Sequence, residues 1–201
     1  MPRTPEQNQN IKDKRRSKLL LFALKAFAVN GYDHTAVDDI TRPAKCSHGL
    51  FYHYFSSKEV AFDAIVDEVL TKDAEFPVEE ALLLGGTKGL RLIIDFAGEM
   101  AKTGPRGLCA AYVTLMLGES KNLSDKGKAF FAKHDVRSAL VTLIRQGQQE
   151  GNVIAGDPEE IALAVYDMAE GSFWRLNDNP NAPVLSADVI YGLLLKKPIE
   201  E

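Results

Sequence analysis

Between Thr35 and Glu59 the chain reads TAVDDITRPAKCSHGLFYHYFSSKE, a short amphipathic stretch, a break, a second short stretch crowded with aromatics, and a capped start to a third. Two short helices joined by a tight turn predict a helix-turn-helix, a motif that lays its second helix in the major groove of DNA. Thr35 is the expected N-cap of the first helix, its hydroxyl placed for the backbone N–H of Val37 or Asp38, with Asp38 and Asp39 at the positive end of the helix dipole. Val37, Ile40 and Ala44 share one face. Pro43, which has no N–H, ends or strains this helix. Ser47 caps the next, and His48 to Tyr54 is the expected recognition helix, with Leu50, Phe51, Tyr54 and Phe55 facing inward and His48, Gly49, Tyr52 and His53 outward. Ser56 and Glu59 have capping-box spacing, and a helix starting there offers backbone N–H groups and Lys58 to a phosphate.

Caps and apolar stripes occur in any helical protein, so Tyr52 and Tyr54 also read as ordinary core aromatics. Phe51, Tyr52, Tyr54 and Phe55 nevertheless exceed what one short helix buries. At least one should face out, and an exposed aromatic beside His and Lys suits a phosphate or a base edge.

The formal charge of −4 fits a nucleic-acid partner only once it is divided along the chain. Residues 1–58 hold ten Lys/Arg against five Asp/Glu, which leaves fourteen against twenty-three in the remainder. Such asymmetry is the footprint of a nucleic-acid-binding end joined to something else. The densest basic run is Lys12, Lys14, Arg15, Arg16 and Lys18, placed for phosphates or the minor groove, although a run of this kind is by itself usually a solvated face. No apolar run reaches the roughly 18 residues of a membrane span, and the polar start MPRTPEQNQN lacks the apolar core of a signal peptide; a cytoplasmic protein is expected. Cys46 and Cys109 lack metal-ligand spacing, and Cys46 reads as a small hydrophobe within the motif.

Elsewhere the pattern stays helical. The first helix ends at Val29 with Asn30-Gly31 as its stop, and Thr4-Pro5-Glu6-Gln7 carries a cap, a first-turn Pro and a capping-box Gln. Leu20, Ala23, Leu24 and Phe27 share the face that packs the head. A fourth helix begins near Lys58, with Val60, Ala61, Ala64, Ile65 and Val69 on its apolar side. Helices are then expected over Val78–Leu84, Thr87–Lys102, Leu108–Gly118, Ser124–Gln149, Pro158–Asn177 and Ser186–Leu195, with no strand-like alternation. Pro158–Asn177 is apolar on nearly all sides, and Leu185, Val189, Ile190, Leu193 and Leu194 give the last helix a matching face. Two such helices from each of two chains would form a four-helix bundle, with Ala169 and Gly171 permitting close approach; the alternative is that both fill the core of one chain.

From Leu19 to Glu59 the chain resembles the DNA-binding region of the tetracycline-repressor (TetR) family. The residues that carry the resemblance are Ala23, Leu24, Phe27, Gly31-Tyr32, Thr35, Val37, Asp39, Ile40, Ala44, Ser47, Gly49, Tyr52, Tyr54-Phe55 and Ser57-Lys58-Glu59, about a fifth of the chain. Three positions depart from the family pattern: Lys45 stands where the turn usually has Gly, Pro43 is unusual one turn earlier, and Phe51 replaces a smaller aliphatic residue. A left-handed Lys45 would cost about 1 kcal/mol or somewhat more. The resemblance implies an all-α fold, with a three-helix head over residues 1–58 and a larger ligand-binding and dimerisation domain over 59–201. It further implies a homodimer that acts on a palindromic operator as a repressor, with activation the open alternative, and is released by a small-molecule effector, with a fourth helix whose tilt sets the spacing of the two heads. Lys45, His48, Gly49 and His53 are the candidates at or near base edges, Thr35, Tyr52 and Lys58 those at phosphates, and Ser47 is a further DNA-binding candidate.

No Walker loop, GxGxxG after a strand, HExxH or nucleophile elbow is present, and neither an enzyme, a cofactor nor a metal site is expected. The cavity the resemblance implies would draw on Phe96, Met100, Cys109, Tyr112, Met116, Phe130, His134, Asp167 and Trp174, a mix suited to a largely apolar molecule. His134, beside Phe130 and Phe131, reads either as a ligand contact or as a satisfied core histidine. Two other readings stay open: a regulator of the same fold controlled by a protein partner, and a helical-bundle enzyme with an incidental motif.

Overall fold

Thr4 starts the first helix as its spacing predicts. Its Oγ1 accepts the Gln7 N–H at 3.2 Å while Gln7 Oε1 accepts the Thr4 N–H at 3.1 Å, and Pro5 occupies the first turn of α1 (Pro5–Asn30). The helix stops one residue later than expected, at Gly31, which takes φ 74° and donates its N–H to the Phe27 carbonyl. The computed structural model describes residues 4–118 and 120–196, so the outer ends of both expected segments, 1–58 and 59–201, lie outside the described residues. Among the described residues no strand forms; Val153 and Leu195 make an isolated antiparallel bridge.

The head is α1, α2 (Val37–Ala44) and α3 (His48–Tyr54). Leu20, Ala23, Leu24 and Phe27 of α1 are buried with Tyr32, Ile40, Ala44, Phe51 and Phe55. Helix α4 (Lys58–Ile65) runs through a π-helical turn, Val66–Leu70, into the short α5 (Thr71–Asp73), and Thr71 Oγ1 donates to the Val66 carbonyl at 2.7 Å. The extra residue of a π turn rotates the helix register. Val66, Val69 and Leu70 therefore stay inside with Ala61, Phe62 and Ile65, whereas Val60, expected on the apolar side, is 42 % exposed.

Phe62 joins head to body. Its ring lies 5.3 Å from Phe27, 4.9 Å from Tyr32 and 6.4 Å from Phe131. The body comprises α6 (Val78–Leu84), α7 (Gly86–Lys102), α8 (Pro105–Met116), α9 (Asp125–Lys133), α10 (Val136–Gln149), α11 (Pro158–Asp178) and α12 (Ala187–Leu194). Helix α7 is central and packs against α6, α8, α10 and α12, while α1 reaches from the head to α8. Gly89 lets α7 approach α6 closely: a Cβ there would lie 2.2 Å from the Ala81 carbonyl oxygen. The single helix expected over Ser124–Gln149 is two, because His134 leaves helical geometry (φ −113°, ψ 45°) and Asp135 accepts the Ser138 N–H at 3.0 Å to cap a new helix.

In one chain, α11 buries only Ala162, Val165 and Phe173, and α12 only Leu194. Leu163, Trp174, Val189 and Leu193 are exposed, so each helix packs one side on the chain and leaves apolar side chains outside it. No helix among the described residues is long and apolar enough to cross a membrane.

Candidate nucleic-acid interface

The turn between α2 and α3 is closed by backbone. Lys45 N–H donates to the Arg42 carbonyl and Cys46 N–H to the Thr41 carbonyl, both at 3.1 Å, the paired bonds of a Schellman motif. That motif places Lys45 in the left-handed region (φ 54°, ψ 50°), and it has the only positive φ of any non-glycine among the described residues. The departure from Gly noted in the sequence is therefore a real strain. The left-handed state costs a side-chain-bearing residue about 1–2 kcal/mol, and the greater unfolded freedom of Gly returns part of any gain. Lys45→Gly is expected to raise the melting temperature by about 2–4 °C, equivalent to a net stabilisation near 1 kcal/mol. A lowered melting temperature would show that the Lys45 side chain makes a compensating contact.

Thr35 is not the cap of α2. The cap is Ala36, whose N–H is taken by the Asp39 carboxylate at 2.9 Å. Thr35 is 3 % exposed, its hydroxyl donating to the Gly31 carbonyl at 2.6 Å with the Ala26 carbonyl at 3.2 Å. It ties the loop back to α1, so its side chain is removed from the phosphate candidates.

Ser47 caps α3, its Oγ accepting the Leu50 N–H at 3.2 Å. Phe51 and Phe55 are fully buried, and Leu50 and Tyr54 pack partly against the core. His48, Gly49, Tyr52 and His53 form an open face, with Tyr52 51 % exposed, and Lys45 and Ser47 are exposed at its edge. Gly49 has no conformational or packing reason to be glycine: the nearest atom to a Cβ there would be Ser47 Oγ at 3.8 Å.

Lys58 does not face this surface. Its Nζ donates to the Tyr32 carbonyl at 2.8 Å, lies 3.5 Å from the Asp33 carbonyl and sits 4.5 Å from the Tyr32 ring centroid. Two carbonyls and the Tyr32 ring, at the start of the α1–α2 loop, engage the ammonium, and Lys58 is withdrawn as a phosphate candidate. The cap of α4 is Ser57, one residue beyond Ser56, with Oγ accepting the Val60 N–H at 3.3 Å. From the basic run, Lys12, Lys14, Arg15 and Lys18 are exposed. Arg16 instead turns to the body and forms a bidentate pair with Glu68 (2.7 and 2.5 Å), stacked 5.2 Å from the Phe55 ring. The Arg16 hydrogen bond holds the Glu68 carboxyl below its ordinary range. Asp38 is the residue of this surface that the sequence reading overlooked: its carboxylate meets His48 Nε2 at 2.6 Å. The ten-residue separation of an acid and a histidine across a turn was the available signal.

Several of the nine body residues expected to line a cavity are packed against other side chains. Phe96 packs on Phe76 at 4.9 Å, and Tyr112 stacks on Phe173 at 3.8 Å with its hydroxyl donating to Glu170. His134 is a satisfied core histidine: Nδ1 donates to the Phe130 carbonyl at 2.8 Å, and Nε2 lies 3.4 Å from Glu75 Oε1. Met100, Cys109 and Phe130 are buried, and burial pushes the Cys109 thiol up to about 11. Met116 is partly buried, and Asp167 and Trp174 lie at the surface. A recess of about 600 Å³ lies instead between the 148–156 segment and the end of α12, and one of about 130 Å³ between α1, the π turn and Arg106; none of the nine lines either. Among the described residues no group of three or more His, Cys, Asp or Glu could hold a metal ion.

A buried three-helix head, a Schellman turn and an open second helix define a helix-turn-helix protein with a helical body. Residues 19–65, the later part of α1 through α4, match the model of bacterial regulatory proteins, tetR family. Over 47 residues it is 49 % identical to the uncharacterized HTH-type transcriptional regulator YuxN of Bacillus subtilis (strain 168), a match covering 23 % of this chain and 16 % of YuxN. The chain thus spans about a sixth of the length of that relative. The whole fold is similar to HlyIIR, a hemolysin II transcriptional regulator (TM-score 0.59, 19 % identity, 92 % of this chain and 99 % of that one). It is also similar to AibR, solved in complex with isovaleryl coenzyme A and operator DNA (TM-score 0.58, 18 % identity, 89 % and 94 %).

Proposed function

We propose that the chain is a homodimeric transcriptional regulator that reads a palindromic DNA operator with α3 of each protomer and releases it when a small, largely apolar molecule binds the body. The observation that carries the reading is the open α3 face, where His48, Gly49, Tyr52 and His53 stand over a buried aromatic base. His48, Gly49 and His53, with Lys45 and Ser47 at the edge, are assigned to or near base edges and Tyr52 to a phosphate. The working division is a head ending at Lys58 and a body beginning at Glu59.

Gly49 supports the assignment. Glycine is a poorer helix former than alanine, and nothing in the chain requires it there, so close approach of DNA is the reason offered. Gly49→Ala is expected to leave the melting temperature unchanged or raised while weakening operator binding at least tenfold. Undiminished binding would remove Gly49 from the interface.

The exposed apolar face of α11 and α12 supports the dimer, and Gly171, where an added methyl group would meet nothing within 4 Å, leaves room for a partner helix. Two-fold symmetry then places the half-sites about one helical turn, or a multiple of it, apart. Release follows if effector binding favours a head separation that DNA does not. AibR, of the same fold, holds both an acyl-CoA and its operator. The body interior, filled by Tyr112, Phe173 and their neighbours, favours a second reading, in which a protein partner carries the signal. Thermal shift against a panel of apolar acids and thioesters separates them: stabilisation by a compound that also releases DNA supports the effector, and no shift supports the partner. Selection from random duplexes tests the core of the proposal. It should return an inverted repeat, and an unenriched pool would contradict DNA reading.

A further inference from the structure

We propose that Asp38 determines specificity on the DNA-reading face by fixing which edge of His48 meets a base; the inference rests on the DNA-binding reading above. Asp38 and Asp39 both lie in the first turn of α2, but they do different work. Asp39 is spent on the Ala36 N–H. Asp38 reaches across the turn to the first residue of α3, its Oδ1 2.6 Å from His48 Nε2. Both side chains are more than half exposed, and an exposed pair of this kind adds little to fold stability. A carboxylate beside a DNA-reading helix also repels phosphates. It is thus costly to non-specific binding and of small structural value, the pattern of a device that trades affinity for discrimination.

The chemistry follows from the donor inventory. A carboxylate only accepts, so the hydrogen of the pair sits on His48 Nε2. In the neutral ring Nδ1 is then an acceptor. It suits the exocyclic amino group of adenine or cytosine in the major groove and is mismatched to the O6 and N7 acceptors of guanine. Tyr52, whose ring centroid lies 6.5 Å from that of His48 in an edge-on arrangement, flanks the imidazole on the same helix face. Without Asp38 the ring is free to rotate and exchange tautomers, and either nitrogen can face the base.

The test is a double-mutant cycle on the full-length protein. Wild type, Asp38→Ala, His48→Ala and the double variant are titrated against the selected operator, each of its single-base variants and a scrambled duplex at one salt concentration. Asp38→Ala is expected to reduce discrimination at one base pair per half-site at least tenfold, at the same base pair as His48→Ala, with no further loss in the double variant. Binding of Asp38→Ala to the scrambled duplex should be unchanged or tighter. Equal weakening on operator and scrambled DNA, or a loss at a different base pair from that of His48→Ala, would overturn the role of Asp38. A specific wild type with an indistinguishable Asp38→Ala would overturn this inference alone, whereas a wild type that prefers no sequence would overturn the DNA-reading proposal with it.

Discussion

Phe62→Ala is expected to destabilise the protein by about 3–5 kcal/mol, the usual range for truncating a buried phenylalanine. The side chain is fully buried and packs against three parts of the chain: Phe27 of α1, Tyr32 of the α1–α2 loop and Phe131 of α9. Gly127 of α9 approaches it so closely that a Cβ there would lie 3.1 Å from Phe62 Cε1. The cavity left by truncation therefore sits where head, α4 and body meet, bounded by helices that cannot collapse without moving the head. In urea denaturation the midpoint should fall with the slope unchanged. A loss below about 1 kcal/mol would mean that the site repacks and that the head is not anchored through this ring.

Charging the exposed apolar face should have the largest effect on function. Leu163 and Leu193 are 49 % and 55 % exposed in one chain, on the two helices assigned to the dimer. Leu163→Glu with Leu193→Glu would bury four unpaired carboxylates in a two-fold interface, which the pairing cannot tolerate. Sedimentation velocity should report a monomer in place of the dimer. The melting temperature should fall only as far as loss of the partner requires, because neither side chain belongs to the core of one chain. Operator affinity should fall by a hundredfold or more, since the second half-site is then bound as an independent event. A variant that remains dimeric would move the interface elsewhere on the body.

The head was legible in the sequence because its elements are set by local rules. Thr4 and Gln7 close a capping box within one turn, Gly31 ends α1, and Lys45 at the usual glycine position of the turn implied a left-handed residue. Errors of one position came where two adjacent residues had the same chemistry or a competing partner: Thr35 lost the cap to Ala36 because its hydroxyl found two carbonyls, and Ser57 rather than Ser56 caps α4. The break at His134 carries no Gly or Pro, and the π turn at Val66–Leu70 leaves an apolar pattern that still reads as one helix. Lys58 and Arg16 read as outward by type, yet long side chains go where acceptors are, and both find them on their own chain. The nine residues expected around a cavity could not be distinguished from core by composition. Met, Phe and Tyr fill space and line it with the same periodicity, and only the packing of α8 against α11 decides which.

The central claim, that the α3 face reads a DNA sequence, is tested most directly by fluorescence anisotropy of the purified protein. The titration would use duplex DNA from upstream of its own gene, or the duplex returned by selection, against a scrambled duplex at the same moderate salt. A specific excess of about a thousandfold, the lower end of the range for sequence-reading proteins, is the predicted result. Equal affinity for both duplexes, with the selected sequence included, would contradict the account.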